Sequence, residues 1–144
     1  SGLKILENII KIISKSEGFF LMIDYGYIKP NNQNTLQSVI NHKKNDILDN
    51  LGKADITSHV NFSLLKEFFE KNHLKVKKTI TQKEFLENMG IIQRAQIIAK
   101  KMKFSDQSNL YLRLKRLLSS KSMGNLFKVI LAYNNKDKKI FGFN

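Results

Sequence analysis

The sequence predicts an α/β fold built on an incomplete sheet, and three observations carry that prediction. The first is the run Phe19-Phe20-Leu21-Met22-Ile23, closed by Asp24-Tyr25-Gly26-Tyr27. Five consecutive apolar residues predict a strand buried on both faces, at the centre of a parallel sheet. The second is a matching apolar run from Leu126 to Tyr133. The third is helical spacing of the apolar residues in much of the chain between them. In open α/β sheets ligands sit beyond the carboxyl ends of the strands, so Asp24, Tyr25 and Gly26 mark the place to expect chemistry. The plainer alternative is an acidic turn that uses Gly26 for its backbone freedom.

The elements follow in order. From Leu3 to Ser14, Leu6, Ile9, Ile10 and Ile13 recur at helical spacing, Ile5 and Ile12 widen the stripe, and Gly18 stops it. Ser1-Gly2 reads as a processed or appended end. After the first strand, Lys29 to Asn34 is a loop by composition, and Thr35 to His42 is ambiguous. Asn45 to Phe62 has no sustained period but carries Asp46, Asp49, Asp55, Thr57, His59 and Asn61, which predicts a functional loop. Asn61 or Ser63 caps a helix with Leu64, Leu65, Phe68 and Phe69 on its apolar face. Leu74 to Ile80 predicts a short strand. Thr81-Gln82-Lys83-Glu84 is a capping box for a helix that stops at Gly90. Helices follow from Ile91 to about Lys101 and from Asp106 to Leu118, the latter capped by Ser105. Beyond the second apolar strand, Asn134 to Lys139 is a polar turn and Ile140 to Phe143 a short closing strand. A central strand needs neighbours on both sides, and this chain offers only later ones. It is therefore the second half of a larger α/β sheet or a small α+β domain that compensates in another way.

Composition narrows the function. With 144 residues, 42% of them hydrophobic, the chain 1–144 is expected to form one domain with its own core. The absence of cysteine excludes disulfides and thiolate metal sites, and no apolar run reaches the length of a membrane span, so a soluble protein is expected. The balance of 25 Lys+Arg against 12 Asp+Glu gives +13, which attracts nucleic acid, acidic lipid or acidic protein. Most of that surplus is lysine in a chain also rich in asparagine and isoleucine, a mix that biased nucleotide composition produces, so solvated surface is the preferred reading.

Asp55 and His59, with His42 upstream, bring an acid and an imidazole four residues apart, close enough to meet on a helix. One His and one carboxylate fall short of a metal site, so no metal is expected. An Asp–His hydrogen bond that orders the loop, or poises His59 as a base, is the better reading. No Walker, dinucleotide-binding or nucleophile-elbow motif occurs. The basic clusters around Lys75, Lys100 and Arg113 lack interleaved aromatic residues and read as solvated helix faces.

Several segments standing in register resemble the carboxyl-terminal half of the MidA-like S-adenosylmethionine-dependent methyltransferases. They are Ile23-Asp24-Tyr25-Gly26-Tyr27; Thr35-Leu36-Gln37 with His42; Ala54 to Phe62; Thr81-Gln82 with Phe85-Leu86 and Gly90-Ile91; Arg94; and Met123-Gly124 with Leu126 to Val129. Asn61 stands where the family usually has Asp, and Leu51 where a Pro-Gly pair is usual. The resemblance implies a Rossmann-like (class I) sheet of which this chain holds strands 5, 6 and 7 with inserted helices. Phe19 to Asp24 would be the fifth, Leu74 to Ile80 the sixth, and Leu126 to Tyr133 the seventh, antiparallel to the rest. The amino-terminal, cofactor-binding half would be absent. It implies methylation of a protein side chain, an arginine in the member that assists respiratory complex I assembly, with S-adenosylmethionine as cofactor in the complete enzyme and this chain inactive alone.

On that template Asp24, Tyr25 and His59 are the expected catalytic residues, and Gly26, His42, Asp55, Thr57, Gln82 and Arg94 the expected substrate-binding ones. The cofactor contacts would lie mostly in the other half. The expected partners are that half, or another chain covering the open sheet edge, and a protein substrate; no membrane partner is expected. A bacterial cytoplasm is preferred to a mitochondrial matrix. Two other functions compete: a non-catalytic half-enzyme that binds protein, and nucleic-acid binding through the basic surface.

Overall fold

The computed structural model describes residues 2–29, 34–134 and 140–143. Helix α1 (Gly2–Ser16) turns Ile10 and Ile13 into the core and leaves Ile5 and Ile12 exposed. It leads into β1 (Phe19–Tyr27), the strand expected from its apolar run. Further on come β2 (Gln37–Ile40), β3 (Lys43–Asn45), β4 (Asp55–Thr57) and β5 (Val60–Asn61). Helix α2 (Phe62–Lys71) follows, then β6 (Lys75–Val76) and β7 (Ile80–Thr81). Three helices, α3 (Gln82–Asn88), α4 (Ile91–Ala99) and α5 (Phe104–Leu118), precede the short α6 (Met123–Leu126) and the last strand, β8 (Phe127–Tyr133).

The main sheet has the order β5-β1-β8-β6, with β7 also paired to β8. β1 and β8 run antiparallel from Phe19↔Tyr133 to Tyr25↔Phe127, and β8 is antiparallel to β6 as well. The outer strands β1 and β6 therefore point the same way with one reversed strand between them. The expected single strand over Leu74 to Ile80 is split in two, because residues 77–79 leave the ladder while the Lys77 amide still donates to the Leu131 carbonyl.

β1 departs from the expectation of a strand buried on both faces in a parallel sheet. Its full-length neighbour is antiparallel, and its parallel partner, β5, reaches only Gly26 and Tyr27. Phe20 and Met22 pack with Ile130 and Ala132 against Ile10, Ile13, Phe62, Leu65 and Phe69 of α1 and α2. Phe62 and Phe69 are fully buried, each contributing roughly 1.5–3 kcal/mol of apolar transfer energy. On the other face, Val129 and Leu131 of β8 are buried but their register partners Ile23 and Leu21 remain 43% and 47% exposed. Continuous apolarity in β1 thus reflects one face packed within this chain and one face left open.

The ambiguous stretch from Thr35 and the expected irregular loop together hold a second, three-stranded sheet of order β3-β2-β4, while residues 46–54 remain irregular as expected. Its tight turn places Asn41 and His42 at φ of 50° and 61°, the left-handed conformation that two-residue hairpins demand. Short, largely polar strands carry no period long enough to read, which hid them. Asn45 knots the following loop: its Nδ2 donates to Ser38 Oγ and to the carbonyls of Asp46 and Asp49, and its Oδ1 accepts from Asn50.

The helix signals read more faithfully. Asn61 caps α2 by accepting from the Leu64 amide, and Thr81 and Glu84 form the reciprocal capping box of α3. Helix α5 starts earlier than expected, with Lys103 at its N-cap and Ser105 inside its first turn. The expected closing strand over Ile140 to Phe143 is a turn with Gly142 at φ 87°. Residues 135–139 of the expected polar turn, and 30–33 of the earlier loop, lie outside the described residues.

Candidate functional site

The end of β1 is fixed by Gly26. A Cβ there would collide with the Val60 carbonyl oxygen and come within 2.8 Å of the Phe62 ring. Only glycine lets β5 lie against the strand over the buried Phe62 ring, so Gly26 is accounted for by packing. The preceding residues project to opposite faces of the sheet. Asp24 turns one carboxylate oxygen back to accept from the Tyr25 amide at 2.8 Å. It lies directly opposite Lys128, whose Nζ donates to the carbonyls of Asn125 and Leu126 at the end of α6. Partial burial holds the Lys128 ammonium below the usual lysine range.

Tyr25 meets two rings. Phe127 meets it edge-on at 5.7 Å, and His59 does so from the other strand system, also at 5.7 Å with the planes at 69°. The His59 amide donates to Thr35 Oγ1, tying the segment after β4 to the segment before β2. His59 also lines an open hollow of about 410 Å³ whose walls include Thr35, Gln37, Ser38, Lys44, Asn45 and Asp46. An imidazole, a phenol and a polar hollow therefore converge at the carboxyl end of β1, where an α/β sheet places its ligands.

The other expected residues scatter. Asp55 is on a strand, so the helical spacing that would bring it to His59 does not exist, and the expected Asp–His bond is absent among the described residues. Asp55 lines a different hollow of about 300 Å³ with His42 and Lys53. Thr57 pairs with Gln37 across β2 and β4. Gln82 is buried, its side-chain amide donating to the Leu117 carbonyl, which ties α3 to α5. Arg94 borders an apolar groove between α4 and α5 with Ile98, Leu110 and Arg113. Asn45 and Asp46 join the site without a sequence motif to mark them; their only signal is a place in an unperiodic polar stretch ahead of His59. Among the described residues no cluster of His, Asp or Glu is arranged to hold a metal ion.

Residues 1–80 match the model of the family described as "Putative S-adenosyl-L-methionine-dependent methyltransferase". The chain belongs to this methyltransferase family. Two solved structures from Burkholderia thailandensis have the same fold over 96% of the chain at 25% identity. Their TM-scores are 0.74 and 0.73, and the second protein is bound to S-adenosyl-homocysteine. Among curated relatives, the mitochondrial protein arginine methyltransferase NDUFAF7 of Homo sapiens is 31% identical over 85% of the chain. The homologous protein of Caenorhabditis elegans is 33% identical over 62% of it. This methyltransferase segment spans only 28% and 21% of those two relatives' lengths, and 37% and 36% of the two solved chains.

Proposed function

We propose that this chain is the substrate-side, carboxyl-terminal half of an S-adenosylmethionine-dependent protein methyltransferase with an arginine acceptor. The observation that carries the reading is the unfinished edge of the sheet. From Phe19 to Tyr25, β1 is paired only on its β8 side among the described residues, and Leu21 and Ile23 on one face stay nearly half exposed. The chain likewise aligns with about a third of each solved neighbour. In this reading β1, the β6–β7 segment and β8 are strands 5, 6 and 7 of a seven-stranded sheet, and the amino-terminal half adds its strands beside β1. The compartment belongs to the same proposal: a bacterial cytoplasm, in preference to the mitochondrial address carried in the animal relatives' names.

The residues present do not cradle a nucleoside cofactor by themselves, since the sequence has no Gly-rich phosphate or nucleoside turn. When bound to the complete enzyme, the cofactor supplies a methyl group already activated on a sulfonium. The task of this half is then to align the acceptor, a proximity effect of up to about 7–11 kcal/mol. The hollow beside His59 receives the acceptor side chain, with Asp46 offering a carboxylate to a guanidinium. His59, held against Tyr25, would take the proton that the acceptor nitrogen loses as it bonds to the methyl carbon and that carbon's bond to sulfur breaks, leaving a neutral thioether. Asp24 fixes the backbone of Tyr25 and acts as a positioning residue.

Calorimetric titration with S-adenosylmethionine tests this, first on the chain alone and then on the chain mixed with a separately made amino-terminal half. Heat is expected only from the mixture, followed by methyl transfer to protein, and His59→Ala in the mixture abolishes transfer while leaving cofactor binding intact. No heat and no transfer in either case sinks the reading. The exposed face of β1 would then favour the second reading, a non-catalytic half-enzyme that binds protein through that face.

A further inference from the structure

We infer that the corner between α4 and α5 is a docking surface for an anionic lipid bilayer. The sequence there reads Lys100-Lys101-Met102-Lys103-Phe104, and Phe104, the first residue of α5, is 83% exposed. A bare aromatic ring beside three lysines is not what a merely solvated helix face presents. Tyr111 follows Phe104 by seven residues and shares its face of the helix. It lines an open hollow of about 450 Å³ with Ile97 and Lys100, and Ile97 is itself 62% exposed. Helix α5 buries no residue completely. Between residues 91 and 118 cations outnumber acids seven to one.

Charge and apolarity together select the occupant. A nucleic-acid backbone would pair with the lysines but leave the Ile97 side chain and the tip of Phe104 in water. An anionic bilayer satisfies both, with headgroups for the lysines and the acyl boundary for the ring. The surface is also distinct from the open sheet edge. Helix α5 packs chiefly against α6, α3 and α4, and none of its main contacts is with β1. The inference therefore does not rest on the proposed catalytic role. Among the described residues no helix is long and apolar enough to cross a membrane, so the contact is peripheral, and it departs from the expectation of no membrane partner.

The test is co-sedimentation of the chain with phosphatidylcholine vesicles, with and without phosphatidylglycerol. Binding is expected only to the anionic vesicles, weakening about fivefold for each of Lys100, Lys101 and Lys103 changed to Gln and falling with added salt. Phe104→Ser weakens it at least as much as one lysine, and Phe104→Leu restores it. The chain has no tryptophan, so Phe104→Trp places a single reporter at the corner, whose emission should shift to the blue and be quenched by brominated acyl chains. Equal binding to neutral vesicles overturns the proposal. So does binding that ignores Phe104→Ser, or an indole reporter that brominated chains leave unquenched, since either describes a charge patch that nucleic acid would serve as well.

Discussion

Gly26 shows how one absent carbon shapes the neighbourhood of the candidate site. A methyl group there would collide with the Val60 carbonyl and the Phe62 ring, and neither can yield, one being strand backbone and the other a fully buried core ring. Gly26→Ala should therefore destabilise the chain by about 1–3 kcal/mol or more, the usual cost of overpacking, read as a lowered urea midpoint. It should also push β5 away from β1 and with it the neighbouring His59, so methyl transfer by the reconstituted enzyme falls further than stability alone accounts for. Asp24 and Tyr25 illustrate the limit of residue-by-residue reading. Adjacency in sequence suggests a shared pocket, yet strand geometry sends the two to opposite faces, and the ring that joins Tyr25 comes from His59.

Elements with strong local chemistry are legible in the sequence, and the capping box of α3 is the clearest case. Glu84 accepts from both the Thr81 amide and the Thr81 hydroxyl. The amide bond first, then the hydroxyl, holds its carboxyl below the ordinary value, with smaller help from Lys78 and Lys83. A carboxyl depressed on folding adds stability that is present above its unfolded pKa and is lost as pH falls through the folded one. Glu84→Gln keeps the cap without the titration, so the wild type should lead it by about 0.5 kcal/mol near neutrality, allowing for solvent screening. That lead should vanish in acid below the carboxylate range, as followed by urea melts across pH. The apolar runs of β1 and β8 and the stripes of α1 and α2 are equally readable, because each repeats its signal over several residues. The β2–β3–β4 sheet is not. Its strands are three or four residues long, and its order comes from Asn45 and from pairing across a tight turn. Asp55 and His59 mislead for the same reason: a four-residue interval means contact only on a helix, and here the segment is extended.

At the scale of the whole molecule, β1 is paired along most of its length on one side only among the described residues. Ile23 and Leu21 face outward opposite the buried Val129 and Leu131. Ile23→Lys should therefore change the stability of this chain by no more than about 1 kcal/mol, while weakening association with the amino-terminal half at least tenfold in a pull-down or calorimetric titration. Unchanged association would mean that the half-sheet is completed elsewhere. The continuous apolar sequence of β1 becomes intelligible on this scale, since one face is used within the chain and the other is kept for what lies beside it.

The pairing of β1 with β8 also governs time. Phe19 meets Tyr133 and Phe20 meets Ala132, so the central ladder joins residues far apart in sequence and cannot close during translation until Phe127–Tyr133 has left the ribosome. Closing so long a loop carries an entropic cost before any contact rewards it, which places folding among the slow, high-contact-order reactions. Throughout that interval the apolar run of β1 is already synthesised and lacks its β8 partner, and a nascent chain in that condition is a natural client for a chaperone.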